Sequence, residues 1–277
     1  MCFHMISPMK NVIALEGNSF ERNFYFQEVR KTMLKENLSF ILVCVLVAAA
    51  LALIAKACEK YFCKSFRRVT GARYIAYVAM FAALGGVLML LEIPLFFAPS
   101  FYKIDLGELP VLMSAFYLGP VAGVITEFLK VCIKLLLKGT STAFVGDFAN
   151  FAVGCAFILP AAIIYHRHKT RKNAIIGMVV GTLTMTIVGS AFNAYYLLPK
   201  FAALFGMPLD AIVAMGTAVN PAITSVGSLV LCAVVPFNLL KGIVDSVLTY
   251  LLYKRVEPIL FRESRKEAKA ASNQSKA

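Results

Sequence analysis

The stretch LSFILVCVLVAAALALIAKA, residues 38–57, has no ionisable side chain before Lys56. At about 1.5 Å per residue a helix of that length crosses the ~30 Å hydrocarbon core of a bilayer. Further apolar runs of similar length follow it. They are continuous rather than alternating with period two, which excludes a membrane β-barrel. The chain has 277 residues, 60% hydrophobic and only 16% charged, with mean hydropathy +0.76, too little polar surface for a soluble domain of this size. The fold class expected is an all-α integral membrane protein.

A formal net charge of +13 would suggest nucleic acid in a soluble protein. Here the bases gather in particular connections. Cys58 to Arg73 carries five bases and one acid, His166 to Asn173 four bases and no acid, and the tail from Lys254 seven bases and three acids. Such clusters mark cytoplasmic loops and place the C-terminus inside. No aromatic or Gly-rich module accompanies the bases, so nucleic acid is not a partner. The seven cysteines are scattered without metal spacing and read as small apolar fillers or free thiols.

Residues 1–37 read as a polar, poorly ordered leader and 38–57 as an anchor helix. Residues 70–255 form the main membrane domain, and 256–277 a basic cytoplasmic tail. Within the main domain the apolar pattern predicts spans over about 74–96, 121–138, 145–165 and 174–199. A short helix is expected from Glu108 to Leu118, broken at Gly119-Pro120. Residues 200–235 read as a long connection whose PAITSVGSLVLCAVV portion forms either a short helix or a re-entrant piece, and a last span begins at Pro236, where a first helical turn tolerates proline.

Ionisable residues inside membrane helices are expensive and mark a partner or a function. With the orientation above, Asp105, Glu108, Glu127, Lys130, Asp147, Asn150, Asn193, Asn238 and Lys241 all fall in the outer half, as a pocket open to the outside requires. Asn238 and Lys241, three apart, share a helix face. Lys241 has a structural alternative, pairing with Asp245 or with Asp105, and Asn238 has one as interhelical glue. Glu127 and Lys130, also three apart, read as an internal pair before they read as ligands. Lys134 and Lys138 are expected to snorkel.

Small residues at Ala72, Ala76, Ala79, Ala83 and Gly86 make one continuous stripe. It serves either close packing inside the bundle or docking of another membrane protein. No P-loop, HExxH or GxSxG occurs, and the three histidines (4, 166 and 168) lie in the leader and a basic loop. The chain therefore hydrolyses no ATP through a P-loop, and neither an enzyme nor a metal site is expected.

The segments KIDLGELPVLMSAFYLGPVAGVITEFLKVCIKLLLKGTSTAFVGDFANFAVG, LPAAIIYHRHKTRKNAIIG, NAYYLLP and VPFNLLKG together resemble the riboflavin-specific S component (RibU type) of energy-coupling factor (ECF) transporters, over roughly residues 70–255. The resemblance implies a six-helix S-component bundle, to which residues 38–57 add one extra N-terminal transmembrane helix. It implies capture of riboflavin from outside without chemistry and without a cofactor. Uptake would proceed through a membrane T component and two cytoplasmic ATPase subunits, in a bacterial cytoplasmic membrane. The positions matching the family's flavin contacts are Asn193, Asn238 and Lys241; Asn150, Glu127 and Asp105 lie at comparable depth and complete the candidate set. Ala79 and Ala83 match its T-component contact. LGELP departs from the family's usual Ser-Asp-containing version at Gly107 and Glu108.

The chemistry of the residues agrees with that reading. The isoalloxazine ring is an apolar plane whose pyrimidine edge carries acceptors and one N–H donor. A carboxamide both donates and accepts, which suits Asn193 and Asn238 to that edge, and Lys241 can only donate. Phe96, Phe97, Phe101 and Tyr102 are candidates for a loop lid. Two alternatives stand beside it: an S component for another vitamin or heterocycle, and an integral membrane enzyme acting on lipid.

Overall fold

The structure is a computed structural model that describes residues 19–62, 71–99, 101–140, 142 and 144–253. Residues 1–18 of the expected leader, the basic stretch 63–70 and the tail from 254 lie outside the described residues.

Helix α1 (Ser19–Phe62) contains the expected anchor but begins well before its apolar run. The run Leu38–Phe62 is largely lipid-facing, with Leu38, Ile41, Leu42, Val45, Leu46, Leu53 and Ile54 exposed. Phe40 and Ala55 are buried on the opposite face, Phe40 edge-on to Phe148 with ring centroids 5.9 Å apart. α2 (Ala72–Leu88) follows, shorter than the expected span. The chain then forms a minimal antiparallel hairpin, β1 (Ile93–Pro94) with β2 (Lys103–Ile104).

α3 (Glu108–Leu118) is buried at every residue. A helix apolar all round belongs in a core, and α2, α4 (Pro120–Lys138) and α5 (Val145–Arg167) enclose it. The α3–α4 corner is made by Gly119, at φ 107°, and by Pro120 at the first turn of α4. α4 turns Glu127, Lys130 and Lys134 inward while Ile125, Phe128, Leu136 and Leu137 face out. Lys134 therefore does not snorkel: it is buried against Asp147 at 2.6 Å, because a counter-charge inside is available within its reach.

α6 (Arg171–Phe192) starts on a cap in which the Thr170 side chain accepts the Asn173 N–H. It packs along α5 with almost no gap. A Cβ on Gly177 would stand 2.7 Å from the Ala161 carbonyl oxygen, and one on Gly181 would stand 2.5 Å from that of Phe157. α6 passes through a π turn (Asn193–Leu197) into α7 (Leu198–Phe205).

The connection expected over 200–235 is largely helical. After α7 come α8 (Leu209–Thr217) and α9 (Val226–Leu229); α9 leads through a second π turn (Val230–Val234) into α10, 235–253. The last apolar span is thus Val226–Tyr253 and begins ten residues before the expected start at Pro236. Pro236 sits inside a continuous helix because the π turn has already displaced the hydrogen-bond register that its missing N–H would break.

Four helices among the described residues are long and apolar enough to cross a membrane, and Ala72–Leu88 and Glu108–Leu118 are shorter apolar helices. The chain is a multi-pass membrane protein. The ends of α1, α5 and α10 and the starts of α2 and α6 lie together at the basic connections, and the hairpin, the α4–α5 turn and α7–α8 lie at the other end.

Candidate functional site

At that other end the helices enclose a cavity of about 430 Å³, within the range of small-molecule sites. One wall is aromatic: Phe101 and Tyr102 from the hairpin, Phe201 and Phe205 from α7, and Phe237 from α10. Their rings make one run, Phe205–Phe201–Phe101–Tyr102–Phe237, with successive centroids 4.4, 5.4, 4.6 and 5.2 Å apart. Of the four residues expected in a lid, Phe101 and Tyr102 line the cavity. Phe96 is 91% exposed and, with Phe97, stands outside the lining.

Five of the six candidate binding residues line this cavity: Asp105, Asn150, Asn193, Asn238 and Lys241. Glu127 does not; it is buried beneath the cavity as the ion-pair partner of Lys130, at 2.7 Å. The π turn sets Asn193 in place. Its amide nitrogen donates to the Gly189 carbonyl at 2.8 Å and its amide oxygen accepts the Tyr102 hydroxyl at 2.9 Å. Burial pushes the Tyr102 phenol above its ordinary range, so it remains a donor at physiological pH. Asn238 is 2% exposed and its amide nitrogen has no hydrogen-bond partner among the described residues. A buried donor of this kind costs stability unless an acceptor meets it. Beside the cavity, it is the group best suited to grip a ligand carbonyl.

Lys241 pairs with Asp105 at 3.0 Å and Glu108 at 3.2 Å, and donates to Asn150 Oδ1 at 3.4 Å. Of the two pairings weighed from the sequence, Asp105 is the partner. Among the described residues both oxygens of Asp245 lack a hydrogen bond, although it is fully buried one turn deeper. Asp105 also accepts the Gly107 N–H at 2.9 Å, which fixes the entry to α3. Glu108 sits in the first turn of α3, where the helix dipole favours a carboxylate. It also meets Lys130 at 3.0 Å. The Lys130 contacts are ion pairs by distance, without the alignment of linear hydrogen bonds.

At the mouth, Glu92 pairs with Lys103 at 2.7 Å and Lys138 at 2.8 Å. Partial burial pushes its carboxyl up, but the two ammoniums outweigh burial and hold it below the usual range. Glu108, Lys134, Asp147 and the methionines Met207 and Met215 also line the cavity, and were not picked out as binding residues from the sequence. The signal for Glu108 was present in LGELP, an acid at a helix start; the methionines carry no polar signal at all.

Residues 73–253 match the family model described as "ECF transporter, substrate-specific component". The chain belongs to that family. The S component is 34% identical over 185 residues to the riboflavin transporter RibU of Staphylococcus aureus (strain TCH60), covering 67% of this chain and 90% of that protein. It is 30% identical over 185 residues to the riboflavin transporter FmnP of Bacillus subtilis (strain 168), covering 66% and 92%. Among solved structures it resembles that of the S component of a bacterial ECF transporter, with TM-score 0.54 and 32% identity over 68% of this chain and 97% of the other. The family is one of substrate-binding transporter components rather than enzymes.

The stripe of small residues runs along the outer side of α2. Ala72, Ala76, Ala79 and Ala83 are exposed, and only Gly86 is buried, against Ile133. Packing inside the bundle therefore does not account for the alanines.

Proposed function

We propose that this S component binds riboflavin in the cavity described above and delivers it inward as part of an ECF importer. The observation that carries the proposal is one aromatic-walled cavity combining Asn193, Asn238 and Lys241, in a chain similar over most of its length to riboflavin transporters. The aromatic run suits the faces of a flat heterocycle, and the free Asn238 amide suits a ring carbonyl. Asn150 and Asp105 orient Lys241, and Glu127 lies below as the partner of Lys130. No protein-bound cofactor is required; riboflavin is the cargo.

The family core corresponds, in this reading, to a domain over 70–255 with six helices: α2, α3, α4, α5, α6 with α7, and α9 with α10. Residues 38–57 within α1 are an additional anchor, 1–37 a leader and 256–277 a cytoplasmic tail. The basic connections face the cytoplasm of a bacterial cell and the cavity opens outward. The exposed Ala79 and Ala83 let a T-component helix approach closely, and that subunit, with two cytoplasmic ATPases, supplies the energy this chain cannot.

The test is purification without added ligand followed by fluorescence titration of the ligand-free protein with riboflavin. Yellow protein with a flavin spectrum and tight quenching is expected. Asn238→Ala and Lys241→Ala are expected to abolish tight binding while leaving a folded bundle. Unchanged affinity in both variants would sink the site assignment, and tight binding of another heterocycle in place of riboflavin would sink the substrate.

A further inference from the structure

Lys130 is fully buried, is ion-paired to Glu108 and Glu127 and does not line the cavity. Its place is nevertheless cleared for it. The stem threads between two backbones that lack a Cβ: one on Gly85 would stand 3.1 Å from Lys130 Cγ, and one on Gly107 3.1 Å from Lys130 Cδ. A third glycine, Gly154, leaves room for the carboxylates that face it. A Cβ there would meet Glu127 Oε1 at 2.5 Å and Glu108 Oε2 at 3.0 Å.

The connection upward runs through one atom. Glu108 Oε1 is 3.0 Å from Lys130 Nζ and 3.2 Å from Lys241 Nζ, so two ammoniums share a single carboxylate oxygen. Lys130 competes with Lys241 for that oxygen and repels it from below, in surroundings where charges are weakly screened. Glu127, 2.7 Å from the same ammonium and beside Glu108 where both carboxylates face Gly154, takes up part of the pull of Lys130. The balance leaves Lys241 with Asp105 and Asn150 as its remaining partners at the cavity floor.

The geometry points to Lys130 and Glu127 as a positioning pair that acts through Glu108 to set where the Lys241 ammonium stands, and so how it meets the polar edge of the ligand. This rests on the reading that Lys241 contacts riboflavin. A pair kept only for stability could be exchanged for neutral groups of similar volume at little cost. A positioning pair could not be exchanged without moving Lys241.

The experiment compares the wild-type chain with Lys130→Met/Glu127→Gln, which removes the Lys130–Glu127 ion pair and nearly keeps the volume. Melting temperature, riboflavin affinity and the visible absorption of bound flavin are measured on each. The double variant is expected to fold, to bind about tenfold more weakly, as loss of one aligned charged hydrogen bond implies, and to show a shifted flavin absorption band. Glu127→Gln alone, which lets Lys130 draw harder on Glu108, is expected to shift the same band and serves if the double variant does not fold. Wild-type affinity and an unshifted band in every variant that folds would overturn the inference. A wild-type chain that binds no riboflavin would overturn the functional reading instead.

Discussion

The α5–α6 seam gives the sharpest quantitative expectation, through Gly181→Ala. The added methyl would stand 2.5 Å from the Phe157 carbonyl oxygen and 3.1 Å from Phe157 Cδ2. Ordinary contact begins near 3.4 Å, so one helix must withdraw by roughly 1 Å, and a backbone carbonyl cannot rotate away as a side chain would. Overpacking of this kind costs about 1–3 kcal/mol. The gain in helix propensity from Gly to Ala returns up to about 1 kcal/mol. A net loss of about 1–2 kcal/mol follows, or a fall in melting temperature of roughly 2–8 °C for a chain of this size. The chain has no tryptophan, so unfolding in detergent is best followed with a thiol-reactive dye, which gains access to the fully buried Cys155 as the bundle opens. Gly227→Ala is the control, since a Cβ there meets only Ser225 Oγ, at 3.8 Å; it should melt within a degree or two of the parent. If Gly181→Ala melts at or above the parent temperature, the close approach of α5 and α6 is not what fixes their spacing.

Three further outcomes follow from the cavity and its surroundings. Tyr102→Phe removes the bond from the hairpin to Asn193, worth about 1 kcal/mol, and should speed riboflavin dissociation about fivefold in stopped-flow fluorescence; an unchanged rate would remove the hairpin from the closure of the site. The Glu92 carboxyl is held below its ordinary value of 4.5, so the ties to Lys103 and Lys138 are fully present at neutral pH and are lost as pH falls through the lowered value. Riboflavin dissociation measured down a pH series should therefore accelerate only on the acid side of 4.5, and the acceleration should be absent in Glu92→Gln. Ala79→Leu and Ala83→Leu should leave riboflavin affinity intact while abolishing uptake by cells that express the whole transporter; normal uptake would remove the α2 stripe from the docking surface.

Much of the site was legible because polar residues are conspicuous in an apolar chain. Asn193 lies far in sequence from Asn238 and Lys241, and depth brings the three together. Asp105 could be named as one of two partners for Lys241, but depth could not decide between it and Asp245, since that choice depends on how the hairpin folds over the helix ends. Lys134 was misjudged for a related reason. Its position near a helix end suggested snorkelling, whereas its counter-ion, Asp147, comes from the next helix across a turn. The residues 200–235 were least legible. Pro236 was read as a helix start, and the π turns Asn193–Leu197 and Val230–Val234 at either end of this stretch leave no mark in hydrophobic periodicity.

Those two π turns have a consequence for how the cavity is aimed. Each ends two residues before a proline, Pro199 in one case and Pro236 in the other; the first opens on Asn193, and the second lies one helical turn before Asn238. A π turn takes in one residue more than the α-helical turn it replaces, which offsets the helix on either side by about 100°. The faces of α6 and α10 that reach the cavity are thus set by phase as well as by sequence position. Deleting a single residue from Val230–Val234 would leave an unbroken helix of nearly the same length and hydrophobicity. It would also swing α9, and the α8 segment that precedes it, about a quarter turn away from Asn238 and Lys241.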